Sequence, residues 1–314
     1  MLVGPSDFKI REKRMKDKVG IIGLGAMGGI YARHLLNAGF EVIGCDLVEA
    51  HLGPLMEQGM EHAKTPKDTA EKVDVLISSL PSLKAVQEVI DGDDGILRCK
   101  KQGQILIDTT TLKVEDKILL GELMAEGGKI FLDAPISGTP PMVDALQGSL
   151  YVSGDKPAYE RCCPIIEGFT GTNYYVGPVG DASKMKILAN YLVGVHTLAA
   201  AECMVLGLKA GLDPKLIHEV LPKGAGGSTM LQVRGEYMAK SDYRYEEGTI
   251  FNVFQKDMNI ITEYAASLKS PIHLFAAARQ TFNSAVALGL DHLELAAVCK
   301  AVEVAAGVDR EMVE

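Results

Sequence analysis

Lys18-Val-Gly-Ile-Ile-Gly23-Leu-Gly25-Ala-Met-Gly28 is the stretch that decides how this chain folds. A short apolar strand runs straight into a Gly-x-Gly-x-x-Gly turn, and a helical segment, Ile30 to Ala38, follows. Each glycine has a separate physical task. Gly23 permits the tight turn, and Gly25 lets backbone amides, those of Ala26 and Met27 among them, approach a pyrophosphate. Gly28 lets the helix pack against the strand, with the helix N-terminus facing the phosphate charge. A glycine-rich turn alone is common, but here a second strand, Glu41-Val-Ile-Gly-Cys-Asp46, ends in an acid 23 residues after Gly23. That is where a ribose-binding carboxylate belongs in a dinucleotide site.

Asp46 also bears on which dinucleotide is expected. A carboxylate accepts hydrogen bonds from ribose hydroxyls and repels a 2′-phosphate. Leu47 and Val48 follow it, with no Arg or Lys to neutralise such a phosphate. The expected cofactor is therefore NAD. The competing role for Asp46 is that of a strand-end turn residue.

Outward from this turn, strand-like apolar runs recur at Val19–Ile22, Val42–Cys45, Val73–Ser78, Ile105–Ile107, Ile130–Ala134 and Leu150–Ser153. Helical stretches at Met27–Ala38, Lys84–Ile90 and Glu115–Ala125 separate several of them. Such alternation predicts a Rossmann-like doubly wound parallel sheet. Three of the runs end in short polar motifs: Ser79-Leu80-Pro81, Asp108-Thr109-Thr110-Thr111 and Asp133-Ala-Pro-Ile-Ser137-Gly138. Ligands of open α/β sheets bind beyond the carboxyl ends of the strands, so these motifs are expected around the reactive end of the cofactor.

After Gly180 the pattern changes. Ser183 to Ala210 reads as one helix of roughly 28 residues, on the order of 40 Å long. It is expected to be buried all round and to join the sheet to an all-helical part. Lys184, Lys186, Asn190, His196 and Glu202 interrupt its apolar content, which argues against a membrane span. Beyond Gly211 the chain reads as helices over Pro214–Leu221, Phe251–Leu268, Ile272–Leu288 and Leu293–Ala306. The expected organisation is a polar tail at 1–17, a dinucleotide-binding domain at 18–180, an interdomain helix at 181–210 and a helical C-terminal domain at 211–314.

Composition narrows the function classes. Of 314 residues, 47% are hydrophobic and 23% charged, which supports a large core. A net charge of −9 argues against nucleic acid or an anionic membrane as the main partner. The six cysteines show no CxxC spacing and, with the seven histidines, form no metal motif, so reduced thiols in a cytoplasmic protein and no metal are expected. Residues 1–17 lack the apolar segment of a secretory leader. Their cluster Lys9, Arg11, Lys13, Arg14 and Lys16 reads as a solvated tail, or an extension upstream of Met15.

Lys186 and Asn190 are four apart on the long helix and so share a face. Oxidising an alcohol by hydride transfer requires a group that takes the hydroxyl proton, and a lysine serves if burial or nearby cations lower its pKa. A surface lysine near a helix start has the same spacing. Asn190 can donate to and accept from a substrate without changing charge.

Together these motifs resemble the 3-hydroxyisobutyrate dehydrogenase, or β-hydroxyacid dehydrogenase, family over residues 18 to about 310. Gly23-Leu-Gly-Ala-Met-Gly28 matches its cofactor motif and Asp133-Ala-Pro-Ile-Ser-Gly138 its substrate motif. Lys186-Ile-Leu-Ala-Asn190 matches the catalytic segment and Lys256-Asp257 the late Lys-Asp pair. The resemblance implies that Lys186 is the catalytic acid/base. It implies that Ser137 and Gly138, with Thr139 beside them, hold a substrate carboxylate, and that Asn190 orients the substrate. Leu80, Pro81 and Thr111 would line the cofactor, Lys256 would sit near it, and Asp257 would be a buried structural acid. The chain departs from the family at Thr139, usually Gly, in a longer loop Thr139-Pro-Pro-Met-Val-Asp144, and at Ala189 and Val253.

The expected function is an NAD-dependent oxidoreductase interconverting a small β-hydroxy acid and its aldehyde or keto acid, in a homo-oligomer (dimer or tetramer). The altered 139–144 loop keeps open a related reductase acting on an imine or a larger hydroxy acid. A non-catalytic NAD-binding module is disfavoured, because the chain keeps Lys186.

Overall fold

The structure is a computed structural model and describes residues 18–244 and 250–312; the basic tail at 1–17 lies outside the described residues. The chain divides into two compact units, Met1–Lys186 and Ile187–Glu314.

The first unit is built on a nine-stranded sheet. Its strands are β1 (Lys18–Ile22), β2 (Glu41–Cys45), β3 (Glu61–His62), β4 (Val75–Ser78), β5 (Ile105–Asp108), β6 (Ile130–Asp133), β7 (Ile136–Ser137), β8 (Ser149–Gly154) and β9 (Thr172–Gly177). They lie in the order β3-β2-β1-β4-β5-β6-β8-β7, with β9 also paired to β8. From β3 through β6 every pairing is parallel, which aligns the carboxyl ends of β1, β2, β4, β5 and β6 along one edge.

The central strands read as continuous apolar runs because both sheet faces are covered. Val19, Ile21, Val42, Val75, Ile77, Ile105, Ile107 and Leu132 belong to one core. The intervening Ile22, Ile43, Cys45, Leu76, Leu106 and Phe131 belong to the other. The alternation is the period-two geometry of a strand. Helices α1 (Ala26–Asn37), α2 (Gly53–Glu57), α3 (Pro66–Lys72), α4 (Leu83–Asp91), α5 (Val114–Glu126), α6 (Pro140–Asp144) and α7 (Lys156–Ile166) complete this unit, apart from the start of the long helix.

At the far edge the otherwise parallel sheet of this doubly wound fold becomes mixed. β8 runs antiparallel to both β6 and β7. The reason lies in the connection. Between β6 and β8 the chain carries only β7 and the five-residue α6, not the long helical crossover that a parallel return requires.

Helix α8 (Asp181–Lys209) leaves the first unit and continues into the second. By length and composition it could cross a membrane, with an 18-residue window of mean hydropathy 1.6. It is not buried all round, as its composition suggests. Leu188, Leu192 and Leu206 are 58%, 49% and 72% exposed. Apolar content on every face does not oblige a chain to cover every face itself.

In the second unit follow α9 (Pro214–Val220), α10 (Thr229–Lys240), α11 (Ile250–Ser267), α12 (His273–Ala287) and α13 (Val298–Ala306). The sequence reading passes over α10, whose buried face includes Arg234 and Gly235. Arg234 is 2% exposed because Glu294 meets its Nε at 3.0 Å. Gly235 admits His218, whose Cδ2 lies 2.6 Å from where a Cβ would stand.

Candidate active site

The glycine turn is fixed by packing at two of its three glycines. Gly23 has φ +86°, a conformation that side chains disfavour, and a Cβ there would lie 2.2 Å from Ser79 O. A Cβ on Gly28 would lie 1.8 Å from Gly23 O, so α1 can sit against the turn only without one. Gly25 is different. It is the N-cap of α1, and a Cβ there would meet only His51 Cε1, at 4.0 Å. Among the described residues no side chain caps α1, and Ala26 and Met27 occupy its first turn, where helix amides lack intrahelical partners. An anion is the natural partner of such a helix start, so the turn fits a pyrophosphate.

At the end of β2, Asp46 accepts from Leu24 N at 2.5 Å through Oδ2 and from Val48 N at 2.7 Å through Oδ1. His51 Nδ1 stands 3.2 Å from Oδ2. Burial acts to raise its pKa, yet these donors outweigh it and hold the carboxyl below the usual range. Asp46 is therefore an anion anchored beside the glycine turn. The sequence reading missed His51. Its only signal is a histidine five residues beyond the strand-end acid, brought back by the 3-10 turn Glu49–His51.

Further along the edge, the polar strand ends are joined through hydrogen bonds. Leu80 N donates to Thr110 Oγ1 (3.3 Å), ahead of Pro81, and Thr109 Oγ1 donates to Ser78 O (2.8 Å). Asp108 Oδ1 accepts from Ser78 Oγ and Thr110 Oγ1, both at 2.7 Å. Thr111, half-buried, follows at the same edge. Beneath these lies a feature that no motif announces: Lys117, on α5, is fully buried between Asp108 (Nζ–Oδ2 2.7 Å) and Asp133 (Nζ–Oδ1 3.1 Å). Burial alone would lower its pKa, but the two carboxylates hold it above the ordinary lysine range.

The segment after Asp133 becomes β7, with Ser137 opposite Ser149 of β8. Gly138 is packed closely, since a Cβ there would stand 3.2 Å from Gly148 Cα. Thr139 is the N-cap of α6, and its Oγ1 is buried without a hydrogen-bond partner among the described residues. The longer loop is thus a helical turn, tied back to α1 where Asp144 Oδ1 meets Arg33 Nη2 (2.5 Å) and Asp144 O meets His34 Nε2 (3.1 Å).

Lys186 is the last residue of the first unit, in the second turn of α8. Asn190 and Lys256 belong to the second unit. There Asn190 is buried and donates through Nδ2 to Asp257 at 2.8 Å, while Lys256 Nζ lies 3.8 Å from Asp257 Oδ1. His196, one of the polar residues that interrupt the apolar content of α8, is half-buried.

Two family profiles cover almost all of this architecture. Residues 18–177 match the NAD-binding domain of 6-phosphogluconate dehydrogenase, and residues 180–302 match the NAD-binding domain of NADP-dependent 3-hydroxyisobutyrate dehydrogenase. The chain belongs to the 3-hydroxyisobutyrate dehydrogenase family. Among curated members, it is 33% identical to the L-threonate dehydrogenase of Cupriavidus necator, over 88% of this chain and 92% of the relative. It is 30% identical to the 2-(hydroxymethyl)glutarate dehydrogenase of Eubacterium barkeri, over 93% and 96% of the two chains. The crystal structure of a 3-hydroxyisobutyrate dehydrogenase from Salmonella typhimurium superimposes with a TM-score of 0.82 at 29% identity, covering 90% of this chain and 99% of that one. The family membership makes the protein a hydroxyacid dehydrogenase that uses a nicotinamide dinucleotide.

Proposed function

We propose that the protein is an NAD-dependent dehydrogenase that interconverts a small β-hydroxy acid with its aldehyde or keto acid. The observation that carries this reading is Asp46, an anchored anion at the end of β2 beside the glycine turn. It can accept from ribose hydroxyls, and it opposes a 2′-phosphate. Gly23, Gly25, Ala26, Met27 and Gly28 would cradle the pyrophosphate, with Leu80, Pro81, Thr111 and Lys256 near the nicotinamide half. Bound NAD supplies the hydride acceptor.

This chain's own residues do the rest. Ser137 Oγ and the Gly138 amide grip the substrate carboxylate, with Thr139 beside them. Asn190, held by Asp257, orients the substrate. Lys186 takes the hydroxyl proton during oxidation and returns it during reduction. The Pro140–Asp144 turn, where the family has a shorter loop, favours a substrate whose side group differs from that of 3-hydroxyisobutyrate. We further propose a soluble cytoplasmic enzyme that works as a homo-oligomer, dimer or tetramer.

The test is turnover of a panel of short β-hydroxy acids, including hydroxylated and dicarboxylic ones, with NAD and with NADP, followed by reduced-cofactor absorbance. Preferential NAD reduction with one class of acid supports the reading. A preference for NADP would sink the argument from Asp46, and turnover of imines alone would replace the hydroxy acid.

A further inference from the structure

Asp133 is the junction of two parts of the site. Four residues after it comes Ser137, and fifty residues after it the first turn of α8 closes onto its carboxylate. Ser183 N donates to Oδ2 at 2.9 Å and Ser183 Oγ to Oδ1 at 3.0 Å. Ala182 N donates to Ser153 Oγ (3.1 Å), which itself lies 3.3 Å from Asp133 Oδ2. A carboxylate that receives a first-turn N–H also complements the helix dipole. Lys117 then links Asp133 to Asp108, and Asp108 binds Thr110 and Ser78.

Asp108, Lys117, Asp133, Ser153 and Ser183 are all at most 2% exposed. Burying two carboxylates and an ammonium is costly, and apolar residues of similar volume serve stability as well or better. Such a cluster is easier to understand as a device that fixes geometry. Ser183 and Lys186 are three apart and adjacent on one helix face, so whatever fixes Ser183 fixes the backbone that carries Lys186.

We propose that the buried Asp108–Lys117–Asp133 cluster, acting through Ser183, is a positioning device that holds Lys186 in register with the Ser137–Gly138 grip and the Thr110–Thr111 turn. The inference rests on the reading of Lys186 as the proton-transfer group. In this role the cluster's residues act only by holding the first turn of α8 against the ends of β5, β6 and β8. Small misplacements of a reacting group are expensive in rate, so the effect belongs in kcat.

Asp133→Asn and Lys117→Met disturb a buried charge cluster and risk misfolding. Ser183→Ala is the gentler probe, since it removes one hydrogen bond and keeps the N–H to Asp133. In this variant kcat should fall about tenfold or more, while NADH affinity by fluorescence titration and the thermal midpoint stay close to wild type. Ser183→Thr should restore most of the loss. In a Lys186→Ala background, Ser183→Ala should have almost no further effect, because coupled residues are non-additive. An equal loss in both backgrounds, or a parallel loss of kcat, NADH affinity and thermal midpoint, overturns the positioning role and leaves the Lys186 reading standing. Wild-type turnover in Lys186→Ala alone overturns the Lys186 reading, and the positioning role with it.

Discussion

In the proposed mechanism Lys186 carries the heaviest chemical demand on any single side chain, because the substrate hydroxyl must lose its proton as hydride leaves carbon. Lys186→Ala should lower kcat roughly 10²- to 10⁴-fold with little change in NADH affinity. Lys186→Arg should rescue poorly, since a guanidinium stays protonated and cannot act as a base. Near-normal turnover in the alanine variant would move proton transfer to another group. At the other end of the cofactor, Asp46→Ala removes charge-assisted acceptors worth about 1.5–3 kcal/mol, so NAD affinity should fall roughly 10- to 100-fold. The NAD/NADP ratio of kcat/KM should narrow, and an unchanged ratio would deny Asp46 its discriminating role. Asp46 was singled out in the sequence by its place at the end of a strand, 23 residues beyond Gly23. Lys186 was singled out only by the family resemblance, since a surface lysine has the same spacing. Lys117 was not singled out: a lone lysine in the helical run Val114–Glu126 looks like any solvated charge until β5 and β6 bring Asp108 and Asp133 to either side of it.

At the scale of elements, the turn between β1 and α1 separates two glycines needed by the fold from one whose place is left to the proposed pyrophosphate site. Gly28→Ala drives a Cβ into Gly23 O and should destabilise the protein by about 1–3 kcal/mol while weakening NADH binding. Gly25 has φ −64° and nothing closer than His51, so Gly25→Ala should leave the thermal midpoint level or raised. It should still weaken NADH binding, by placing a methyl group where phosphate approaches. If calorimetry gives Gly25→Ala wild-type affinity, the pyrophosphate lies elsewhere. β1, β2 and β4 to β6 were legible because they are buried on both faces and read as apolar runs. β3 is two residues long, and β9 (Thr-Asn-Tyr-Tyr-Val-Gly) is polar and only partly buried, so neither shows a period. The mixed edge was hidden for a different reason: strand direction is decided by the connection, and α6 reads as a loop of prolines. Asn190 pairing with Asp257 likewise joins residues 67 apart, which no local pattern encodes.

Over the whole molecule, the buried ionisable groups set a direction for stability against pH. Burial is the main cause that pushes up the thiols of Cys45, to about 11, and of Cys162 and Cys299, to about 12. The unfolded chain releases these protons near the ordinary thiol value of about 8.5, whereas the native protein keeps them. Where the native state binds more protons, stability falls as pH rises, so each thiol contributes stability that is present below its unfolded value and lost on the way to its folded one. Lys117 acts in the same direction at higher pH. Its contribution is complete below the ordinary lysine value and disappears as pH climbs through its raised native value. The free energy of unfolding from urea titrations should therefore hold level to about pH 8 and decline above it, by about 1.4 kcal/mol per pH unit for each buried thiol still protonated. Cys162→Ala removes one such proton. Whatever that variant loses at neutral pH from the missing sulfur, its stability should decline less steeply than wild type between about pH 9 and 11. Parallel curves for the two proteins would mean that the Cys162 thiolate is no costlier in the native protein than in the unfolded chain, and that the burial of this thiol does not govern its alkaline lability.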